Sequence, residues 1–486
     1  MSTAPQYDLI IIGGGPAGYI SAERAGALGK RVLLVERDAI GGVCLNEGCI
    51  PTKTLLYGAK LYHHARESER FGVQATGVSY ELPAAMAHKS KTIATLQKGI
   101  LGQMKRHHVE VRTGDATLLG PGRVQVDGEE ISCRYVLVAT GGRAIVPPIP
   151  GAADNPRVLT SREILQIDTL PKRLVVVGGG YIGMEFASYF SAVGTEVTVV
   201  EMTDEIIPML EPTMAKALRS QVAGVTYRLG HRVTAIDGAD AGAPVRVTVA
   251  GAAGEDTVET DLVLLAAGRA ANVDGAGLAD AGVDLDRGGV RVDEYMQTNL
   301  PGVYAAGDVT GKMLLAHAAY RMGEVAVAHM FREDGASGGG SAAAQPAGTP
   351  AAAGLPSGSA AWPNRMRFGA IPWVVFTAPE VAGCGLTPSA AAEAGHDAIT
   401  VTVPLQVSGR YLAEHPTERG SVTMVADRES RRLLGVQMLG SGVGEIIHSV
   451  AVMMELELRI EDIREIVFPH PTVSEALRDA AWAIEG

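Results

Sequence analysis

The chain has 486 residues, with 42 Lys+Arg against 54 Asp+Glu, a formal charge of −12. That length suggests roughly three domains, and the acidic balance argues against non-specific nucleic-acid binding, which needs a positive field over the phosphates. Four cysteines are too few for a disulfide-stapled secreted scaffold; with no membrane-length apolar run and no basic, apolar leader in residues 1–8, a soluble cytoplasmic protein is expected.

Residues 7–12 form a short apolar run rich in Ile. Gly13-Gly14-Gly15-Pro16-Ala17-Gly18 follows, then a helical stretch at 19–28 and a second strand at 31–35 closing with Glu36. The order returns with a strand at 174–177, Gly178-Gly179-Gly180-Tyr181-Ile182-Gly183, a helix to Val193, and a strand at 196–200 closing with Glu201. In both copies the acid lies 18 residues after the third glycine. A lone Gly-rich turn is weak evidence, but this strand–turn–helix context with a distant acid is what a dinucleotide-binding unit requires. The first glycine makes the tight turn, the second admits the pyrophosphate, and the third lets helix and strand pack closely. The helix N-terminus offers N–H groups to the phosphates. Two units predict two dinucleotide sites. A carboxylate at the strand end accepts ribose hydroxyls, and Met202-Thr203-Asp204-Glu205 offers no cation for a 2′-phosphate. The second site is therefore expected to prefer NAD over NADP.

Between the units, residues 136–140 read as a strand leading to Gly141-Gly142, and Pro147-Pro148-Ile149-Pro150-Gly151 as an extended crossover. Strands at 262–267 and 303–306 end at Gly268-Arg269 and Gly307-Asp308. Residues 335–362 are almost all Gly, Ala, Ser and Pro. Such a stretch cannot bury a core and is expected to be a flexible surface insert without a catalytic role. Residues 363–486 carry strand-like stretches at 373–376, 421–425 and 433–439 and helical ones at 444–456 and 474–484, an α+β pattern. The fold class expected is α/β, with two Rossmann-like dinucleotide-binding domains and a C-terminal α+β domain.

Gly41-Gly42-Val43-Cys44-Leu45-Asn46-Glu47-Gly48-Cys49-Ile50-Pro51-Thr52-Lys53 is the most specific stretch. Two cysteines five apart can form a disulfide within one turn of distorted helix. Zinc would want CxxC-type spacing and a second ligand pair, and neither is present, so no metal is expected. The surrounding glycines and polar residues weigh against two inert thiols. Cys133 and Cys384 are isolated and read as ordinary buried thiols. Beside a flavin, a Cys44/Cys49 pair could pass electrons between flavin and substrate. Thiol exchange needs a thiolate and hence a base. Pro469-His470-Pro471-Thr472-Val473-Ser474-Glu475 offers His470, an imidazole able to take up a proton, and Glu475 to orient the imidazole and stabilise its charged form. His107 and His108 read as part of a solvated face.

The two dinucleotide units, the Cys stretch at 41–53, Gly307-Asp308 and His470-Pro471-Thr472 resemble the flavin-dependent pyridine nucleotide–disulfide oxidoreductases. Within them, the closest match is the branch that oxidises dihydrolipoamide. The resemblance covers nearly the whole chain except the insert. It implies FAD-binding residues 1–150 and 273–334, NAD-binding residues 151–272, and a dimerisation domain at 363–486. For FAD it implies Gly13, Gly15 and Gly18 at the pyrophosphate, Glu36 at the adenosine ribose, and the main chain of Gly114-Asp115-Ala116 at the adenine. Gly42, Thr140-Gly141-Gly142 and Leu314-Leu315-Ala316-His317 are implied as further contacts. Asp308 matches the acid near the ribityl chain, and Lys53 the lysine beside the reactive flavin nitrogen. For NAD it implies Gly178, Gly180, Gly183, Glu201 and Gly268, with Glu185 grouped there as the ion-pair partner of Lys53. Cys44 is implied to be the interchange thiol and Cys49 the thiol facing the flavin, joined as a redox-active disulfide. His470 and Glu475 are implied to complete the active site of the other subunit of a homodimer. The implied partners are lipoyl-bearing proteins of 2-oxoacid dehydrogenase or glycine cleavage complexes, with no nucleic acid and no membrane. The family pattern is departed from at Phe468, Ala270-Ala271, Thr377-Ala378-Pro379-Glu380 and Ala319-Tyr320-Arg321, and none of these removes a catalytic role. No cysteine follows Cys384, so the extra pair of mercuric reductase is missing.

Overall fold

The computed structural model describes residues 5–240, 243–332 and 364–485. The insert expected at 335–362 lies outside the described residues. The chain divides into two units, one of Met1–Asn46, Ala94–Arg143 and Arg269–Arg367, the other of Glu47–Ile93, Ala144–Gly268 and Phe368–Gly486.

In the first unit, Tyr7–Ile12 lies between Val32–Glu36 and Glu129–Val138, parallel to both. Glu110–Thr113 and Val303–Ala305 extend the parallel sheet. Buried parallel strands read as continuous apolar runs, which is why Leu9, Ile10, Ile11 and Ile12 are all buried. Alternate residues share a face. Ile10, Ile12, Leu33, Val35, Val136 and Val138 join one core with Leu118, Val124 and Ile131 of an antiparallel meander. That meander is built from Ala116–Gly120, Arg123–Val126 and the first half of Glu129–Val138. The strand expected at 136–140 is thus the end of a ten-residue strand. Helices Pro16–Ala27 and Ala316–Met330 pack against each other.

The second unit repeats the plan. Its parallel sheet has the order Val225–Leu229, Glu196–Glu201, Arg173–Val177, Leu262–Leu265, Val158–Leu159. An antiparallel sheet of Arg232–Asp237, Val245–Gly251 and Gly254–Thr260 accompanies it. The C-terminal part is a five-stranded antiparallel sheet, ordered Trp373–Val375, Val381–Gly385, Leu433–Leu439, Ser421–Asp427, Ala398–Pro404. Helices Val443–Glu455 and Glu475–Ala483 share its core through Val443, Ile447, Val450, Ala476, Leu477 and Ala480. The fold is α/β with two dinucleotide-binding sheets and an α+β C-terminal domain, as the sequence pattern led one to expect. None of the helices among the described residues is long and apolar enough to cross a membrane.

Candidate active site

The two Gly-rich turns are built alike. Gly13 and Gly178 sit at φ +109° and +108°, a region that only glycine enters readily. Side chains there would strike the carbonyls of Ala139 and Ala266. A Cβ at Gly18 would run into the Gly13 carbonyl oxygen, and one at Gly183 into that of Gly178. Gly15 and Gly180 cap the helices Pro16–Ala27 and Tyr181–Ala192, and neither helix receives a side-chain cap. Their first N–H groups are therefore available to an anion. The distant acids close the motif. Glu36 accepts from Gly14 N at 2.7 Å and Asp38 N at 2.9 Å. Glu201 accepts from Gly179 N at 2.6 Å and Thr203 N at 2.9 Å. The 18-residue spacing thus brings each carboxylate back to its own turn.

In the first unit the FAD candidates form one connected set. A Cβ on Gly42 would press on Gly15 Cα at 2.7 Å, and one on Gly142 would lie 3.2 Å from Asp308 Cβ. Gly114 N donates to the Glu36 carbonyl at 3.0 Å, which puts the 114–116 turn, with Ala116, beside Glu36. Thr140 Oγ1 and Gly141 O are held by Asn272 at 2.7 and 2.9 Å. Gly307 lies against Ala17 and Ala319. Leu315 caps helix Ala316–Met330 without a side-chain bond, so Leu314, Leu315, Ala316 and His317 present a second uncapped helix start. Burial pushes the Asp308 carboxyl up, and the Arg269 guanidinium, 3.5 Å away, opposes that shift. Arg269 also donates to Gly142 O at 2.6 Å. Cradles that no Cβ could enter, uncapped helix starts and an acid held at its own turn fit a dinucleotide phosphate, and they occur twice.

In the second unit, Lys53 Nζ lies 2.8 Å from both carboxylate oxygens of Glu185. The Phe376 amide donates to Glu185 at 3.1 Å, and its ring lies 4.7 Å under Lys53. Helix Cys49–Glu67, which carries Lys53, packs on helix Tyr181–Ala192, which carries Glu185. Gly268, at φ +107°, accepts from Ile145 N at 3.0 Å. His470 Nδ1 lies 2.9 Å from Glu475 Oε1. The imidazole is 77% exposed and the carboxylate 7%. The hydrogen bond from His470, joined by that from Thr472 N at 3.0 Å, holds the Glu475 carboxyl below the usual carboxylate range. Glu475 opens helix Glu475–Ala483, where a negative charge is favoured by the helix dipole. Ser408 Oγ donates to the Thr472 carbonyl at 2.9 Å and anchors the turn.

The Cys stretch differs from the single distorted helix expected. Gly48, at φ −144° and ψ −105°, breaks it, so Cys44 lies in helix Gly42–Glu47 and Cys49 opens helix Cys49–Glu67. Both cysteines are half-buried. Cys133 and Cys384 are buried, and burial pushes each thiol up to about 12. Among the described residues no group of three His, Cys, Asp or Glu could hold a metal ion. Sequence reasoning missed Arg269 beside Asp308, Phe376 beside Lys53, and Arg478, 3.5 Å from Glu475. Arg269 stood next to a named glycine and could have been found; Phe376 carries no motif.

Residues 7–323 match the model of the pyridine nucleotide-disulphide oxidoreductase family, and residues 371–481 match that family's dimerisation domain. The chain is 34% identical to a mitochondrial dihydrolipoyl dehydrogenase of Pisum sativum, over 99% of this chain and 92% of that one. It is 35% identical to a dihydrolipoyl dehydrogenase of Thermus scotoductus, covering 98% and 97%. Among solved structures it is similar to the HOCl-induced flavoprotein disulfide reductase RclA of Escherichia coli, with a TM-score of 0.81, 26% identity, and coverage of 99% and 100%.

Proposed function

This chain belongs to the pyridine nucleotide–disulphide oxidoreductase family, whose cofactors are FAD and NAD, and from that premise we propose that it is a homodimeric dihydrolipoamide dehydrogenase. The observation that carries the reading is the coincidence of the Cys44/Cys49 pair with the buried Glu475 that orients an exposed His470. We assign the site residues as the resemblance implies, with FAD held in residues 1–150 and 273–334 and NAD in 151–272. A base left 77% exposed on one chain suits a site closed by a second copy, so His470 of one protomer serves the cysteines of its partner.

In this reading the enzyme rests with Cys44 and Cys49 as a disulfide. His470 takes the proton of one dihydrolipoamide thiol, and the resulting thiolate attacks the Cys44 sulfur. The Cys44–Cys49 bond breaks and its electron pair stays on Cys49. The second substrate thiol then attacks the substrate sulfur of the mixed disulfide. Lipoamide leaves, Cys44 departs as a thiolate, and His470 returns its proton there. Glu475 keeps the imidazole in one orientation and stabilises its charged form. The second thiol's proton goes to solvent, and FAD and NAD, when bound, would supply the acceptors for the two electrons and one proton, a hydride equivalent. The partners are lipoyl-bearing proteins of 2-oxoacid dehydrogenase or glycine cleavage complexes. The few cysteines fit a reducing, cytoplasmic compartment.

The similarity to RclA favours one second reading, the reduction of another disulfide at the expense of a reduced pyridine nucleotide. A spectrophotometric assay separates the two. Dihydrolipoamide is offered with NAD and with NADP, and NADH with glutathione disulfide. Fast NADH formation in the first cuvette alone is expected. Silence there with turnover in the last refutes the lipoamide reading.

A further inference from the structure

Helix Gly42–Glu47 has six residues, about one and a half turns. A helix that short does not hold itself, yet its Cys44 must stay in place through each turnover. The preceding loop has unusual backbone demands, with Gly41 at φ +101° and Gly42 at φ +58°. Among the contacts that fasten this element are those of the Asn46 side chain. Its Nδ2 donates to the carbonyls of Gly42 at 2.9 Å, Ala39 at 3.2 Å and Ile40 at 3.2 Å. Its Oδ1 accepts from Gln97 Nε2 at 2.8 Å, on helix Leu82–Arg106. The same loop is tied on its other side to the first Gly-rich turn, through Gly41 N to Gly14 O at 2.8 Å and the close approach of Gly42 to Gly15.

We propose that Asn46 is a positioning residue for the redox thiol. It hooks the Cys44 helix onto the loop that abuts the phosphate turn, and Gln97 fastens the other end of its amide. The orientation has a chemical cause. Three backbone carbonyls surround one end of the Asn46 amide, and a carbonyl oxygen turned toward them would be repelled. The carbonyls therefore set the rotamer, and Gln97, donating to the oxygen that faces it, fastens the other end of the amide. Asn46 thereby couples three elements, the phosphate turn, the Cys44 helix and the helix bearing Gln97. Neither an aspartate nor a leucine at 46 can make this hook, because one brings a negative charge against three carbonyls and the other has no donor. The inference rests on reading Cys44 as a redox thiol.

The test uses the dithiothreitol-reduced, FAD-loaded enzyme, with iodoacetamide as probe. Alkylation of the Cys44 and Cys49 peptides is followed by mass spectrometry across pH 6–9. Asn46→Leu, which removes the hook and adds no charge, should slow Cys44 alkylation at pH 7 by about tenfold, the equivalent of a one-unit rise in thiol pKa. Gln97→Leu, which leaves Asn46 in place, should slow it by about threefold, and Cys49 should change less than Cys44 in both. A merely structural role lowers the melting temperature and leaves the pH midpoint of Cys44 where it was. Parent-like Cys44 profiles in both variants overturn the proposal. If Asn46→Leu does not fold, the Gln97→Leu profile decides alone. Failure of the lipoamide reading shows separately, as absent dihydrolipoamide turnover in the parent enzyme, which alkylation does not require.

Discussion

Replacing Glu185 by glutamine tests the ion pair that holds the lysine one helical turn after Cys49. At 2.8 Å, two unit charges attract by about 6 kcal/mol at an effective dielectric near 20. Much of that is offset by the desolvation of a carboxylate that is 7% exposed. Glutamine keeps the shape and one oxygen to accept from the Phe376 amide and Lys53, but it leaves the ammonium with a neutral acceptor and the Phe376 ring at 4.7 Å in place of a charged partner. A cation over a ring at a partly exposed site returns about 1 kcal/mol. The net loss should be about 2–3 kcal/mol, or about 4–12 °C in the melting of a cooperative unit of 150–250 residues. Lys53→Met should cost a similar amount, because it strands the carboxylate. The double variant should lose less than the sum, with a coupling of about 2 kcal/mol. Scanning calorimetry on the four FAD-loaded proteins measures this cycle. Strict additivity would show that the charges contribute independently and would refute the argument.

The remaining predictions use the repeated turn and the histidine turn. Gly18→Ala forces a methyl into the Gly13 carbonyl and should strip most FAD from the purified protein, measured by the ratio of flavin to protein absorbance. Gly183→Ala makes the matching clash at Gly178; it should keep FAD and raise the KM for NAD by about tenfold or more, in line with an overpacking cost of 1–3 kcal/mol. Exchanged phenotypes would reverse the cofactor assignment. The Glu475 carboxyl lies below its ordinary value of 4.5, so its anion supports the 470–475 turn fully above that pH. The support fades as pH falls through the lowered value. Hydrogen exchange at the Thr472 amide should therefore accelerate below pH 4.5, beyond its intrinsic rate, in the parent and not in Glu475→Gln. The same substitution should lower turnover by about 10–100-fold near neutrality, within the range set by general-base catalysis.

The sequence by itself determined what is local. Strand, Gly-rich turn, helix and returning acid are close along the chain, so backbone geometry alone joins Gly13 to Gly18 and Glu36, and Gly178 to Gly183 and Glu201. The His470–Glu475 pair was legible for the same reason, since five residues span one turn into a helix. Helix Leu82–Arg106 gave little sign of itself, because few of its positions, among them Leu82, Lys89 and Met104, are buried and no apolar stripe marks it. The meander at 116–138 escaped because its strands were hidden among turn residues. Only the tertiary structure decided the break at Gly48, the Gln97 that anchors Asn46 from 51 residues away, and the Phe376 amide that meets Glu185 across 191 residues. The turns needed specific backbone conformations, which residue types announce. The long-range contacts needed only a donor at the right place, and many residues can supply one, so packing alone chose which did.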